Sequence, residues 1–213
     1  MENITIQLPD GSKKELPHGS TGLDLAASIG PGLAKDAVAV SIKGEQYDLL
    51  DALPDKSEVS IITIKSAEGL DIMRHTLTAQ VLASAVKNLY PDAKLAIGPT
   101  IEDGFYYDFL FSKPLSVDDL PNIEKEMNKI ISDKSNITKT LHNKDDAISI
   151  FNDMEETFKA EIIAESEQQD NFQIYTQDNS NFKDLCRGPH LPNLNLIGEF
   201  KLTKVSGAYW RGD

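Results

Sequence analysis

Between Ser66 and Gly69 the patterning of this chain changes, and the change limits what can form on either side. Ahead of it are short strand-like runs broken by turns. Behind it, Leu70 to Leu89 reads as one long helix, with Leu77, Val81, Leu82, Ala85, Val86 and Leu89 as its apolar stripe and Pro91 as its stop. A pattern of period two followed by one of period 3.6 does not continue a single repeating layer. The 213 residues give room for two ordinary domains, and the expected division is 1–64 and 65–213.

In the first block Ile4-Thr5-Ile6-Gln7-Leu8 alternates, Pro9-Asp10-Gly11 has strong turn chemistry, and Lys13 to Leu16 returns as a hairpin partner. Ser20 or Thr21 caps a short helix whose apolar face is Leu23, Ala26, Ala27 and Ile29, and Gly30-Pro31-Gly32 ends it. Ala37 to Ile42 and Glu58 to Ile64 are β-rich runs. The ββαββ order predicts a small α+β roll, like ubiquitin. With no phosphate-binding loop and no catalytic cluster, it reads as a binding module.

The second block mixes its elements without regular βαβ alternation, which predicts another α+β domain. After the long helix comes Ile97-Gly98-Pro99 and an aromatic strand, Gly104 to Phe109. Ser116 and Asp119 form a capping box for a helix buried through Leu120, Ile123, Met127, Ile130 and Ile131. Ile137 to Leu141 reads as a strand, Asp145 to Ala164 as a broken helix, and Phe172 to Tyr175 and Glu199 to Val205 as strands. The chain stops abruptly at Tyr209-Trp210-Arg211-Gly212-Asp213, as a cut in a longer polypeptide would.

The net charge of −13 argues against non-specific nucleic-acid binding as the main task, although a basic pocket can sit on an acidic body. One cysteine allows no internal disulfide, so the cytosol is the expected compartment. No apolar run approaches the roughly 20 residues of a membrane span, and Met1-Glu2-Asn3 begins no signal peptide, so no membrane partner is expected.

That cysteine lies in Asp184-Leu185-Cys186-Arg187-Gly188-Pro189-His190, together with one of four histidines. Gly188 and Pro189 exclude a regular helix, so the segment is expected to be a tight loop. Cys-x3-His places a soft nucleophile or ligand beside a group titrating near neutrality. A cysteine of this kind is equally often mere packing.

This loop, the run Ala96-Ile97-Gly98-Pro99 leading to Gly104-Phe105-Tyr106-Tyr107-Asp108, and the closing Gly207 to Asp213 together resemble the amino-terminal half of bacterial threonyl-tRNA synthetases. The resemblance covers essentially the whole chain. It implies a TGS domain of β-grasp type over 1–64 and an editing domain over 65–213, similar to that of alanyl-tRNA synthetases, with 207–213 leading into an absent aminoacylation domain. The implied function is proofreading: hydrolysis of seryl-tRNA(Thr), with threonyl-tRNA spared. The implied partners are that tRNA and the remaining synthetase domains, in cis in the full-length protein. A site that accepts threonine rejects serine by roughly 1–3 kcal/mol, the worth of one methyl, and a second sieve supplies the rest.

The resemblance places His75, Lys159 and Asp184 at catalytic positions, and Gln80, Tyr107, Cys186 and His190 at substrate-binding ones. Against it, Lys159 also reads as an ordinary surface lysine of a helix, and one of Tyr106 and Tyr107 must face the core, since successive strand residues point oppositely. The chain departs from the family at Arg74-His75-Thr76-Leu77-Thr78-Ala79-Gln80, where the family carries His-x3-His. Counted from Leu89-Tyr90-Pro91, Gln80 takes the second histidine's place and His75 falls one residue early. In a straight helix the two would be about 140° apart, so a π-bulge between His75 and Gln80 is expected. The alternative is a helix starting later, with His75 in a loop. An amide is a poor zinc ligand, so no metal and no other cofactor is expected. Two other readings remain: an editing-weakened tRNA-binding module, and a metal-binding hydrolase of the alanyl type.

Overall fold

The computed structural model describes Glu2 to Gly212 and divides the chain into two compact units, one from the start to Met73 with Gly188–Pro192, the other Arg74–Arg187 with the residues from Asn193 onward. The fold class is α+β in both units, as the sequence indicates.

In the first unit, β1 (Asn3–Gln7) and β2 (Lys13–Pro17) form the expected hairpin, with Ile4 opposite Leu16. Thr21 caps α1 (Gly22–Ile29) through a full capping box with Asp24. The buried face of α1 is Gly22, Leu25 and Ala26, whereas Leu23, Ala27 and Ile29 are exposed, so the expected stripe is corrected by about one position. Gly30 ends α1, but Pro31 opens a second helix, α2 (Pro31–Asp36). Its missing N–H costs nothing at a first turn. The strands β3 (Ala37–Ile42), β4 (Glu45–Asp48) and β5 (Ser57–Thr63) complete a sheet of order β2-β1-β5-β3-β4, in which β1 and β5 run parallel. Strand β4 lacks a strand-like apolar pattern, which is why the sequence reading misses it. Ile6, Leu25, Val40, Leu49 and Val59 fill the core.

The long helix spans Ala67 to Leu89 in three pieces: α3 (Ala67–Thr76), a π-helical turn (Leu77–Leu82) and α4 (Ala83–Leu89). In the second unit the aromatic run divides into short strands. Strand β6 (Lys94–Leu95) pairs with β9 (Phe109–Leu110), and β7 (Thr100–Ile101) pairs with β8 (Gly104–Phe105). The Ser116–Asp119 capping box forms and leads into α5 (Leu120–Ser132), buried through Leu120, Ile123, Met127 and Ile130. Strand β10 (Ile137–His142), helices α6 (Lys144–Asp153) and α7 (Thr157–Glu165), then β11 (Phe172–Gln177) and β12 (Lys183–Leu185) follow, giving an antiparallel sheet of order β10-β11-β12.

Glu199 to Val205 is not the expected strand. The Glu124 carboxylate of α5 accepts the Leu202 N–H at 2.7 Å and the Lys201 ammonium at 3.0 Å, so a side chain takes the place of a ladder partner. Of the closing segment, Trp210 packs on Phe158 at 4.6 Å between ring centroids and Arg211 pairs with Glu161 and Glu165; Asp213 lies outside the described residues. Among the described residues no helix is long and apolar enough to cross a membrane.

Candidate active site

The 184–190 segment is only partly a loop. Asp184 and Leu185 belong to β12, and the Cys186 N–H still donates to Gln173 O at 3.2 Å, extending the pairing with β11 by one residue. Asp184 and Cys186 are two apart on this extended stretch and so share a face. Loop geometry begins at Arg187, with Gly188 at φ 67° and a cis Gly188–Pro189 bond.

Asp184 is 1 % exposed and accepts from three donors. Lys159 Nζ lies 2.9 Å from Oδ1, the Leu185 N–H donates to Oδ1 at 2.7 Å, and the Tyr107 hydroxyl donates to Oδ2 at 2.8 Å. Lys159 is itself 4 % exposed, on the face of α7 that also buries Ala160 and Ile163. It is not the solvated helix lysine its type suggests. The ammonium also stands 5.4 Å from the Tyr107 ring centroid, a cation–π contact in a desolvated setting.

Tyr106 is 43 % exposed and Tyr107 is 9 %, so Tyr107 is the core member of the pair, yet its hydroxyl reaches the Asp184 carboxylate. Burial, then the Asp184 charge and the hydrogen bond to it, raise the Tyr107 hydroxyl well above the usual tyrosine range. The proton stays on oxygen, and Tyr107 donates it to Asp184.

His75 lies within α3, not in a preceding loop, and its Nε2 is 2.7 Å from Cys186 Sγ. The π-helix expected between His75 and Gln80 is present, displaced two residues onward, at Leu77–Leu82. The Ala83 N–H reaches Thr78 O, five residues back. Gln80, expected to bind substrate, is fully buried: its Nε2 lies 3.3 Å from Tyr175 O, and the Gln177 amide donates to Gln80 O at 2.9 Å and lies 3.3 Å from Gln80 Oε1. Its amide is committed to β11.

His190 is buried within Gly188–Pro192, the segment grouped with the first unit, where its N–H donates to Asp48 Oδ1 at 3.0 Å. His75 and Cys186 offer two zinc-type ligand atoms in the second unit.

Three further residues shape the surroundings of this cluster. Glu156, fully buried before α7, accepts the Leu95 N–H at 2.7 Å and pairs with Lys87 at 2.7 Å, tying α7 to α4 and β6. Gly98 is required because a Cβ there would lie 2.1 Å from the Tyr107 ring. Gln177 is a polar residue buried in β11, on the strand face that carries Gln173 and Tyr175.

Residues 4–63 match the family model of the TGS domain, and residues 173–209 match that of the threonyl and alanyl tRNA synthetase second additional domain. The chain is 47 % identical over 208 residues to the threonine–tRNA ligase of Hahella chejuensis, covering 98 % of this chain and 32 % of the relative. It is 45 % identical over 210 residues to that of Burkholderia lata, covering 99 % and 33 %, and 47 % identical over 213 residues to that of Pelobacter propionicus, covering 100 % and 33 %. The chain thus spans about a third of the length of these relatives.

Proposed function

We propose a proofreading activity for this chain, a threonyl-tRNA synthetase amino-terminal region in which a TGS domain precedes an editing-type second additional domain. The reaction is hydrolysis of the seryl ester on the terminal ribose of mischarged tRNA(Thr), and threonyl-tRNA is spared. The rest of the synthetase is the partner that delivers this tRNA. The observation that carries the reading is the buried Lys159–Asp184–Tyr107 cluster, which shares a strand face with the Cys186 end of the His75–Cys186 pair. Burying a lysine–carboxylate pair is a poor way to gain stability. Its place beside a neutral-pH acid–base group is what a working site requires.

In this reading water attacks the ester carbonyl carbon, the carbon–ribose oxygen bond breaks, and the ribose oxygen leaves with a proton. His75 is the one imidazole of the second unit's site and takes the proton of the attacking water, within the range where histidine titrates. Lys159, fixed by Asp184, supplies positive charge for the oxyanion in a desolvated setting. Cys186 orients His75 and is not the nucleophile, and Tyr107 completes the wall of the site. Asp184 has three donors already, so it holds Lys159 and Tyr107 and does not orient an imidazole. The step as written invokes no metal, and Gln80, at the second histidine's place, offers no ligand because its amide is turned to β11.

The test is single-turnover deacylation of seryl-tRNA(Thr) and threonyl-tRNA(Thr) by this chain, with and without the remaining synthetase domains. Serine should be released and threonine retained, a chelator should have no effect, and His75→Ala and Lys159→Ala should each slow release by about 10²-fold or more. Equal release of both amino acids, or none with the other domains supplied, would defeat the proposal.

A further inference from the structure

Gln177 and the π-helical turn have no assigned role in the reaction, yet they are bonded to each other. Helix α4 and the end of the π turn are held in register by the core: Val81, Ala83, Ala85 and Val86 are all at most 1 % exposed. The π turn places one more residue between that anchor and His75 than a regular helix would. Each helical residue turns the chain by about 100°. If the turn reverted to α-helix with α4 fixed, His75 would swing by about that angle and leave Cys186. The contact at 2.7 Å therefore depends on the π turn persisting.

A π turn disturbs the main-chain ladder and needs support from outside the helix. The Gln177 side chain supplies it. Its amide donates to Gln80 O at 2.9 Å, in the middle of the turn, while Gln80 Nε2 is 3.3 Å from Tyr175 O on the same strand. Gln80 and Gln177 are 0 % and 1 % exposed, so water cannot replace these bonds. Gln177 already has its own main chain bonded, its N–H to Phe182 O at 2.9 Å and its C=O to the Asn181 N–H at 2.8 Å. Its side chain is free to act as a fixed bracket.

We infer that Gln177 is a positioning residue: through the Gln80 carbonyl it locks the π turn and so holds His75 on Cys186. The function of that lock rests on the proofreading reading; the lock itself does not.

The test uses the whole chain with Gln177→Met, which keeps length and removes the donor, and Gln177→Glu, whose carboxyl donates only when protonated. Cys186 is half-exposed and is the only cysteine, so its alkylation by iodoacetamide reports the His75 contact directly. In Gln177→Met the rate of alkylation at fixed pH should change by about tenfold, because the thiol loses the imidazole 2.7 Å away, with circular dichroism unchanged. Seryl-tRNA deacylation should fall by about ten- to a hundredfold. In Gln177→Glu, the rate relative to wild type should recover as pH falls and the buried carboxyl protonates, whereas the Gln177→Met ratio stays flat. A residue with a merely structural role would lower thermal stability without changing the alkylation rate, and that result overturns the inference. So does a Gln177→Met variant that deacylates within twofold of wild type. Should wild type release no serine, the proofreading reading fails, and the alkylation arm still decides the lock.

Discussion

Asp184 is the residue on which the second unit's polar interior converges, and its three partners are not equivalent. The Tyr107 hydroxyl and the Leu185 N–H are neutral donors, whereas Lys159 brings a charge with only 5 % of its side chain exposed. Removing the carboxylate charge leaves that ammonium buried without a counter-ion. Asp184→Asn should therefore cost about 3–5 kcal/mol in urea unfolding, and the double change Lys159→Met with Asp184→Leu should recover most of it, because a buried pair replaced by apolar groups of like size is near neutral. A cost under 1 kcal/mol for Asp184→Asn would mean that solvent reaches the pair. Deacylation should be lost in both variants. Of these roles, the sequence carried only the identity of the residues. A lysine in Thr157–Glu165 looks like any surface lysine, and its burial follows from the placement of α7 by Glu156, which no local pattern announces.

At the scale of elements, the loop from Leu95 to Gly98 and the start of β9 meet closely enough to set the site. The Ala96 N–H bonds Asp108 O at 3.0 Å and the Asp108 N–H bonds Ile97 O at 2.7 Å, which presses Gly98 against the Tyr107 ring. A methyl at Gly98 would displace the ring and with it the hydroxyl on Asp184. Gly98→Ala should cost about 1–3 kcal/mol, and in a Tyr107→Ala background the same change should cost little, since the added methyl enters the space vacated. Additive costs in this double-mutant cycle would break the link between the loop and the ring. The π turn was legible for a related reason: an extra residue between a histidine and a core-anchored stripe must go somewhere, and counting back from Leu89-Tyr90-Pro91 finds it. Its displacement to Leu77–Leu82 was not legible, because the amide that brackets it comes from β11, far along the chain. Likewise β4 and the absent strand at 199–205 depend on partners, not on their own propensity. Period and capping found the isolated helices and hairpins; pairing decided the rest.

At the scale of the molecule, each unit takes its core from its own residues: Ile4 to Val59 in the first, Leu77 to Leu194 in the second. The chain as a whole carries −13. On the proposed reading, a tRNA ester must reach a site on a chain whose average field repels phosphate, with a Debye length of about 10 Å at 0.1 M salt. For a basic protein, salt weakens binding by displacing phosphate contacts, with a log–log slope near −0.9 per contact. Here the long-range term has the opposite sign, and screening relieves it. For this chain alone, deacylation of subsaturating seryl-tRNA should stay level or rise between about 20 and 100 mM salt. Joined to the remaining synthetase domains, the ester arrives by tethering, so effective concentration replaces steering. The rate should then be much higher and should follow the salt dependence of those domains. A fall of tenfold or more for the isolated chain over the same range would point instead to a local basic surface strong enough to bind tRNA unaided, and the rest of the synthetase would be needed for chemistry elsewhere, not for delivery.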